Sequence, residues 1–111
     1  MDFANNTLVI IDADEVRRHQ LKGLLETLGF ARIHKTHPDD WRQQLGEDSG
    51  IDAMLLGPCA SPDEQRRLFG SLHESRPDLP IILYGEKERL VAVDVAAVKD
   101  AFVRVIELPL Q

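Results

Sequence analysis

Short continuous apolar runs constrain the fold of this chain more than any other feature of its sequence. A run of about four to eight apolar residues suits a buried strand. Four such runs are TLVII (7–11), DAMLL (52–56), PIILY (80–84) and FVRVIEL (102–108). Three of them are continuous rather than alternating, which is typical of strands covered on both faces and therefore indicates a parallel sheet.

The segment between the first two runs has the pattern of an amphipathic helix over 14–29. Its apolar residues keep the i, i+3, i+4, i+7 spacing of one helical face and are Leu21, Leu24, Leu25 and Leu28. Asp14 is predicted to cap the start of this helix, and Gly29 to end it. A weaker strand is predicted over 31–35.

Three further helical segments are indicated with different clarity. A helix is predicted over 36–48, where Pro38 suits a first turn and Gly46 an ending. The segment 61–75 is better marked, because Ser61 and Glu64 have the spacing of a capping box. Its predicted buried stripe consists of Leu68, Phe69 and Leu72. The valines in 85–100 fit neither the spacing of one helical face nor the alternation of a strand, so a short or irregular helix is predicted there.

Strands and helices therefore alternate as βαβαβαβαβ, which predicts a single domain over 1–111. Right-handed crossovers then give an α/β fold, a doubly wound, flavodoxin-like, five-stranded parallel sheet of order 2-1-3-4-5. Only three residues follow the fifth predicted strand, so the final helix that would return across the sheet is missing from the chain. We interpret the chain as the N-terminal fragment of a longer protein.

Composition excludes several classes of function. Asp and Glu outnumber Lys and Arg by 19 to 13, a formal net charge of -6, which disfavours direct nucleic-acid binding. A single cysteine, Cys59, excludes an internal disulfide, and the N-terminal sequence lacks the pattern of a signal peptide. No apolar run approaches the length needed to span a membrane. A cytoplasmic protein without membrane contact is predicted.

The residues at the predicted strand ends resemble those of response-regulator receiver domains, and the resemblance covers essentially the whole chain. Receivers carry an acidic pair for Mg²⁺ after the first strand and a phosphoacceptor Asp after the third. A Ser or Thr ends their fourth strand, and a Lys followed by Pro ends the fifth. By this resemblance the corresponding positions of this chain are Asp12, Ala13, Gly57, Gly85, Leu108 and Pro109.

Four of the receiver's functional side chains are therefore absent: Ala13 replaces the second carboxylate, Gly57 the phosphoacceptor, Gly85 the hydroxyl and Leu108 the lysine. Their loss removes nucleophile, metal ligand and charge neutralisation together. The resemblance implies a degenerate phosphorylation site with no catalytic residue, no cofactor and no metal. Pro109 is retained, and the peptide bond before it is expected to be cis, as in receivers.

The segments DDWRQQL, MLLG, LPIILYGE and IELP are similar to the N-terminal pseudo-receiver of the FleQ/FlrA group, the σ54-dependent activators of flagellar genes. That resemblance implies an AAA+ ATPase domain following in the same protein as a partner, together with a possible homodimer. The predicted function is a non-phosphorylatable regulatory or dimerisation domain rather than an enzyme. The alternative is a ligand- or metal-sensing module that uses the acidic cleft vacated at Gly57 and Gly85.

Other candidate residues carry weaker signals. His34 and His37 are three residues apart but straddle a predicted strand end, so surface histidines compete with a zinc site. Cys59 is either a reactive thiol or a small loop residue. Trp41 either packs its helix on the sheet or anchors a partner.

Overall fold

The computed structural model describes residues 5–42, 50–76, 79–85 and 103–107. These residues form five strands and two helices. In chain order they are β1 (Thr7–Ile11), α1 (Glu15–Thr27), β2 (Arg32–Thr36), β3 (Ala53–Leu56), α2 (Pro62–Ser75), β4 (Ile81–Gly85) and β5 (Val103–Glu107).

The strands form one parallel sheet in the order β2-β1-β3-β4-β5, which confirms the predicted topology. β1 lies beside both β2 and β3, with Ile10 opposite Lys35 on one side and Leu55 on the other. β2 is an edge strand, and its Arg32 and Lys35 are exposed. Charged side chains at an edge discourage pairing with a further chain.

The core has two layers, one on each face of the sheet, because successive residues of a strand point to opposite faces. Val9 and Ile11 of β1 pack with α2, whereas Leu8 and Ile10 pack with α1. All four are buried. The arrangement explains why β1, β3 and β4 read as continuous apolar runs: these three strands are covered on both faces, as in a doubly wound fold.

The predicted strands agree with the observed ones to within one residue at each end. The predicted helix over 61–75 is also confirmed, since Ser61 accepts a hydrogen bond from the Glu64 amide (3.2 Å). Phe69 and Leu72 of this helix are buried against the sheet, and Leu68 packs against the same cluster.

The ends of α1 follow from its sequence. The Asp14 carboxylate accepts hydrogen bonds from the amides of Val16 and Arg17, two donors that the first turn of a helix leaves without backbone partners. Gly29 follows the last turn with φ of 107°, a left-handed conformation that a side chain disfavours.

Only part of the leucine stripe of α1 is buried. Leu21 is buried and Leu25 packs against the same cluster, but Leu24 and Leu28 are 47% and 58% exposed. A helix that lies on one side of a sheet contacts it along a limited stripe, and Leu24 lies at the side of that stripe. Leu28 follows the last residue of α1 as its C-cap. The four leucines keep the spacing of one helical face, but only Leu21 and Leu25 contact the core.

The predicted helix over 36–48 begins later than expected. Thr36 is the last residue of β2, and the amide of Asp40 donates to the carbonyl of His37 (2.9 Å) in a turn that contains Pro38. Helical conformation starts at Trp41. Residues 43–49 and the ambiguous segment 86–100 lie outside the described residues.

We expect Leu21→Ala to lower the free energy of unfolding by about 2–5 kcal/mol, because it leaves a cavity between α1 and the sheet. Leu24→Ala is the matched control, with the same chemical change on the same helix, and should change stability by roughly 0.5 kcal/mol or less. Urea denaturation followed by the fluorescence of the single tryptophan, Trp41, measures both. Equal losses in the two variants would contradict the described packing of α1.

Candidate functional site

The candidate site lies where the parallel strands end, at the carboxyl edge of the sheet. Asp12 follows β1 directly, Gly57 follows β3, and Gly85 is the last residue of β4. The amide of Gly57 donates to the carbonyl of Ile11 (2.7 Å), which brings the ends of β1 and β3 together. This edge is where α/β sheets place their chemistry.

Asp12 is fully buried, and four donors surround its carboxylate. Arg17 donates through Nε to Oδ2 (2.6 Å) and through a terminal nitrogen to Oδ1 (2.9 Å). The amide of Asp14 also donates to Oδ1 (2.8 Å), and the hydroxyl of Tyr84 donates to Oδ2 (2.7 Å). An ionised carboxylate accepts about four hydrogen bonds, so these four donors occupy all acceptor sites of the Asp12 carboxylate.

The position of Arg17 follows from the helix start. Because Asp14 caps α1, Arg17 lies in the first turn and points back toward the end of β1. The hydrogen bond with Asp12 raises the pKa of Arg17 above its already high value, and the negative charge of the same carboxylate adds to the rise. A permanent cation thus lies against Asp12. The neighbouring Arg18 donates to the Asp12 carbonyl oxygen.

Tyr84 covers the position of Gly57. A Cβ atom added at Gly57 would lie 2.4 Å from Cζ of Tyr84, 2.5 Å from its hydroxyl oxygen and 2.5 Å from Oδ2 of Asp12. Such distances are far below a van der Waals contact. Glycine is required here because the aromatic ring uses the space that a side chain would take.

The hydroxyl of Tyr84 is held in its neutral form. The residue is 1% exposed, and this burial raises the pKa of Tyr84 far above its ordinary value. The negative charge of Asp12 and the hydrogen bond to it raise the pKa further. The phenol therefore acts as a stable donor toward the carboxylate.

The cleft expected at Gly57 is not open, and this part of the prediction is wrong. The alternative function drawn from the sequence, a ligand- or metal-sensing module, relied on room left by Gly57 and Gly85 beside the single charge of Asp12. Instead the Tyr84 ring fills the space over Gly57, and Arg17 already neutralises Asp12.

Ala13 is exposed, and its amide donates to the carbonyl of Pro58 (3.3 Å), so the loop after β1 is held to the loop after β3. Leu108 and Pro109, including the expected cis peptide bond, lie outside the described residues.

A buried glutamine lies beside the same strand ends. Gln65 of α2 is 1% exposed, and its side-chain nitrogen donates to the carbonyls of Leu56 (3.4 Å) and Tyr84 (3.2 Å). These carbonyls belong to the residues just before Gly57 and Gly85. Gln65 therefore contacts the ends of β3 and β4 at once.

Sequence reasoning missed Arg17, Gln65 and Tyr84. The sequence carried a separate signal for two of them, Tyr84 and Gln65. Tyr84 is the only tyrosine, and it ends an otherwise aliphatic run. Gln65 occupies the apolar stripe of α2, seven residues before Leu72 and four before Phe69. A polar residue at such a position needs a buried partner.

The weaker candidates either lie away from the hydrogen bonds around Asp12 and Tyr84 or pack in the core. His34 is exposed, and Nδ1 of His37 accepts a hydrogen bond from the Asp39 amide (3.0 Å). Among the described residues, no group of three or more His, Cys, Asp or Glu side chains is placed to hold a metal ion.

Cys59 and Trp41 both contribute to packing. Cys59 is buried in the core layer beneath α2, and its Sγ lies 3.7 Å from the Gly57 carbonyl. Trp41 packs against the same layer, and the guanidinium of Arg42 lies 5.1 Å from its ring centre. Within the described ranges, neither helix is long and apolar enough to cross a membrane.

Comparison with known proteins identifies a family and a fold. The family described as "Flagellar regulatory protein FleQ" matches residues 7–111. Solved structures of a response regulator receiver domain protein from Clostridium thermocellum and a response regulator receiver protein from Sinorhizobium medicae WSM419 each superpose with a TM-score of 0.73. Their sequence identities are 17% and 16%, and each alignment covers 96% of this chain and 84% of the other.

A curated relative shares more sequence over a shorter span. The biodegradative arginine decarboxylase of Escherichia coli (strain K12) is 30% identical in an alignment of 82 residues that covers 68% of this chain. The match corresponds to only 11% of the decarboxylase's own length. Its catalytic activity is therefore not carried over to this chain.

Gly57→Ala should destabilise the protein by about 1–3 kcal/mol, because the added methyl group overlaps the Tyr84 ring and Oδ2 of Asp12. The control is Gly70→Ala in α2, where an added Cβ meets nothing within 4 Å. That change should stabilise the helix by up to about 1 kcal/mol. Urea denaturation compares the two variants. An unchanged free energy of unfolding in Gly57→Ala would show that the space over Gly57 is free.

Alkaline titration tests the state of Tyr84 directly, because it is the only tyrosine. Its folded-state pKa is raised, so its contribution to stability is complete below the unfolded value of about 10 and declines as the pH rises above it. We expect phenolate absorbance to appear together with the loss of circular dichroism. In denaturant the tyrosine should titrate near pH ~10. A phenolate signal near that pH in a protein with native circular dichroism would contradict the buried hydrogen bond.

Proposed function

This chain belongs to the family of the flagellar regulatory protein FleQ, and from that premise we propose that it is a pseudo-receiver, a regulatory domain that acts through protein contacts and is not phosphorylated. The observation that supports the proposal most is the occupied space at Gly57, the position that corresponds to the phosphoacceptor. Tyr84 fills it, and neither residue offers a carboxylate nucleophile.

The surroundings of Gly57 support the same function. Phosphoryl transfer depends on an in-line nucleophile and on cations that neutralise the developing charge on the phosphoryl oxygens. In receivers a metal ion held by two carboxylates supplies that charge. Here Ala13 provides no second carboxylate, and all acceptor capacity of Asp12 is used by protein donors.

The proposed partner is an AAA+ ATPase domain in the same full-length protein, in a cytoplasmic σ54-dependent activator of flagellar genes. The domain would restrain or align that ATPase, and a homodimer of pseudo-receivers is one way to do so. Support comes from family membership and from the fold, which retains the architecture of a phosphorylation switch. No reaction is assigned to the domain.

Incubation with acetyl phosphate and Mg²⁺, followed by intact-mass measurement, tests the proposal. We expect no phosphoryl adduct on the protein or on Gly57→Asp. In that variant the new side chain meets Tyr84 and lies beside Asp12, and like charges in one buried site raise a pKa and cost stability. Mg²⁺-dependent gain of one phosphoryl group by the unaltered chain would overturn the proposal.

A matched variant separates steric from chemical causes. Gly57→Asp combined with Tyr84→Ala removes the overlap with the Tyr84 ring but leaves Ala13 in place and adds no cation to the site. We expect this double variant to remain unphosphorylated, because electrostatic stabilisation is generally the largest catalytic contribution. Phosphorylation of the double variant alone would show that Tyr84 is the sole obstacle.

A further inference from the structure

We infer that Gln65 and Tyr84 form a permanent tie across the carboxyl ends of β1, β3 and β4, which holds this edge of the sheet in one conformation without any ligand. The inference deepens the proposed function and rests on it, since a domain that accepted a phosphoryl group would need this edge open. The tie is a conformational device built from three elements that are distant in the sequence.

The first half of the tie lies on the α2 face of the sheet. The β3–β4 pairing ends with Leu56 opposite Leu83. Beyond that pair, the side-chain Nε2 of Gln65 donates to the carbonyls of Leu56 and Tyr84 and so joins the two strands where their own pairing stops. A buried amide is costly unless it is hydrogen-bonded, and these two bonds satisfy the side-chain nitrogen of Gln65. Its Oε1 is also buried, and none of the described groups donates to it.

The second half lies on the opposite face. The Tyr84 side chain belongs to the core layer under α1, together with Leu8, Ile10 and Leu21. From β4 its hydroxyl reaches Asp12 at the end of β1, although β3 lies between these two strands. It crosses β3 at Gly57, the residue whose missing side chain leaves the passage open.

Both halves meet in one residue. The carbonyl of Tyr84 is bound by Gln65 on one face, and its hydroxyl is bound by Asp12 on the other. Arg17 keeps the acceptor in place, because its two bonds to Asp12 fix the carboxylate and neutralise it. β4 is therefore held on both faces at the point where the chain leaves the sheet.

The tie accounts for a combination of residues that the loss of phosphorylation alone does not require. A receiver position without an acceptor could carry any small residue. A glycine under an aromatic ring, a buried glutamine between two strand ends and an arginine against a buried carboxylate are all needed if this edge is to be closed by the chain itself.

Amide hydrogen exchange of the full chain tests the tie. The reporters are the amides of Gly57 and Ala13, which bond across the strand ends to Ile11 and Pro58. Tyr84→Phe removes only the hydroxyl, and Gln65→Leu removes the amide at similar volume. We expect each change to raise exchange at both reporters by roughly 10-fold or more relative to the central amides of β1. Tyr84→Phe loses a buried bond to the charged Asp12 carboxylate, and Gln65→Leu loses the buried bonds to the carbonyls of Leu56 and Tyr84.

The control is Gln20→Leu, the same chemical change at an exposed position of α1, which should leave the reporter amides within about twofold of the unaltered protein. If Tyr84→Phe and Gln65→Leu also stay within that margin, or if they raise exchange uniformly over the sheet, the tie does not exist. Tyr84→Phe retains the ring over Gly57, so it remains a test if Gln65→Leu fails to fold.

A separate probe distinguishes failure of the tie from failure of the proposed function. Mg²⁺ with beryllofluoride, which imitates a phosphoryl group, is added to the unaltered chain while the same amides are followed. We expect no saturable change. A saturable change would overturn the proposed function, whereas unaffected exchange in the two variants would overturn only the tie.

Discussion

The carboxylate of Asp12, buried without contact with solvent, is the constraint on which this end of the sheet depends. A buried charge is strongly unfavourable unless it is paired and hydrogen-bonded, and here every acceptor site is matched by a donor. Two of the four bonds come from Arg17, so the start of α1 is coupled to the end of β1. The cap at Asp14 fixes the helix start from which Arg17 reaches back.

The same constraint explains the glycine at position 57. Asp12 needs a donor from the β4 side, and Tyr84 supplies one only by passing over β3. The ring then occupies the space of a side chain at Gly57. Receiver chemistry would require a carboxylate at this position, so the internal hydrogen bond and phosphorylation use the same space and exclude one another.

The structure thus adds a positive description to a site that the sequence described mainly by what it lacks. Ala13 and Gly57 remove ligands and nucleophile, but Arg17, Tyr84 and Gln65 replace them with internal contacts. The chain belongs to the flagellar regulator family and has the receiver fold. The proposed role therefore rests on contacts with other protein surfaces.

The sequence by itself determined the features that depend on neighbours in the chain. Apolar runs gave the strands, Asp14 and Ser61 gave the helix starts, and the alternation of elements gave the parallel order of the sheet. The strands and helix starts are set by residues a few positions apart, where side-chain period and capping act. The sheet order follows from the right-handed connections that parallel strands require.

Only the tertiary structure decided which side chains meet at the strand ends and which leucines of α1 reach the sheet. Asp12 and Tyr84 are 72 residues apart, and Gln65 and Tyr84 are 19 apart. No local rule links such pairs. The periodicity of α1 likewise could not separate buried Leu21 from exposed Leu24, because the width of a buried stripe depends on what packs against the helix rather than on the helix alone.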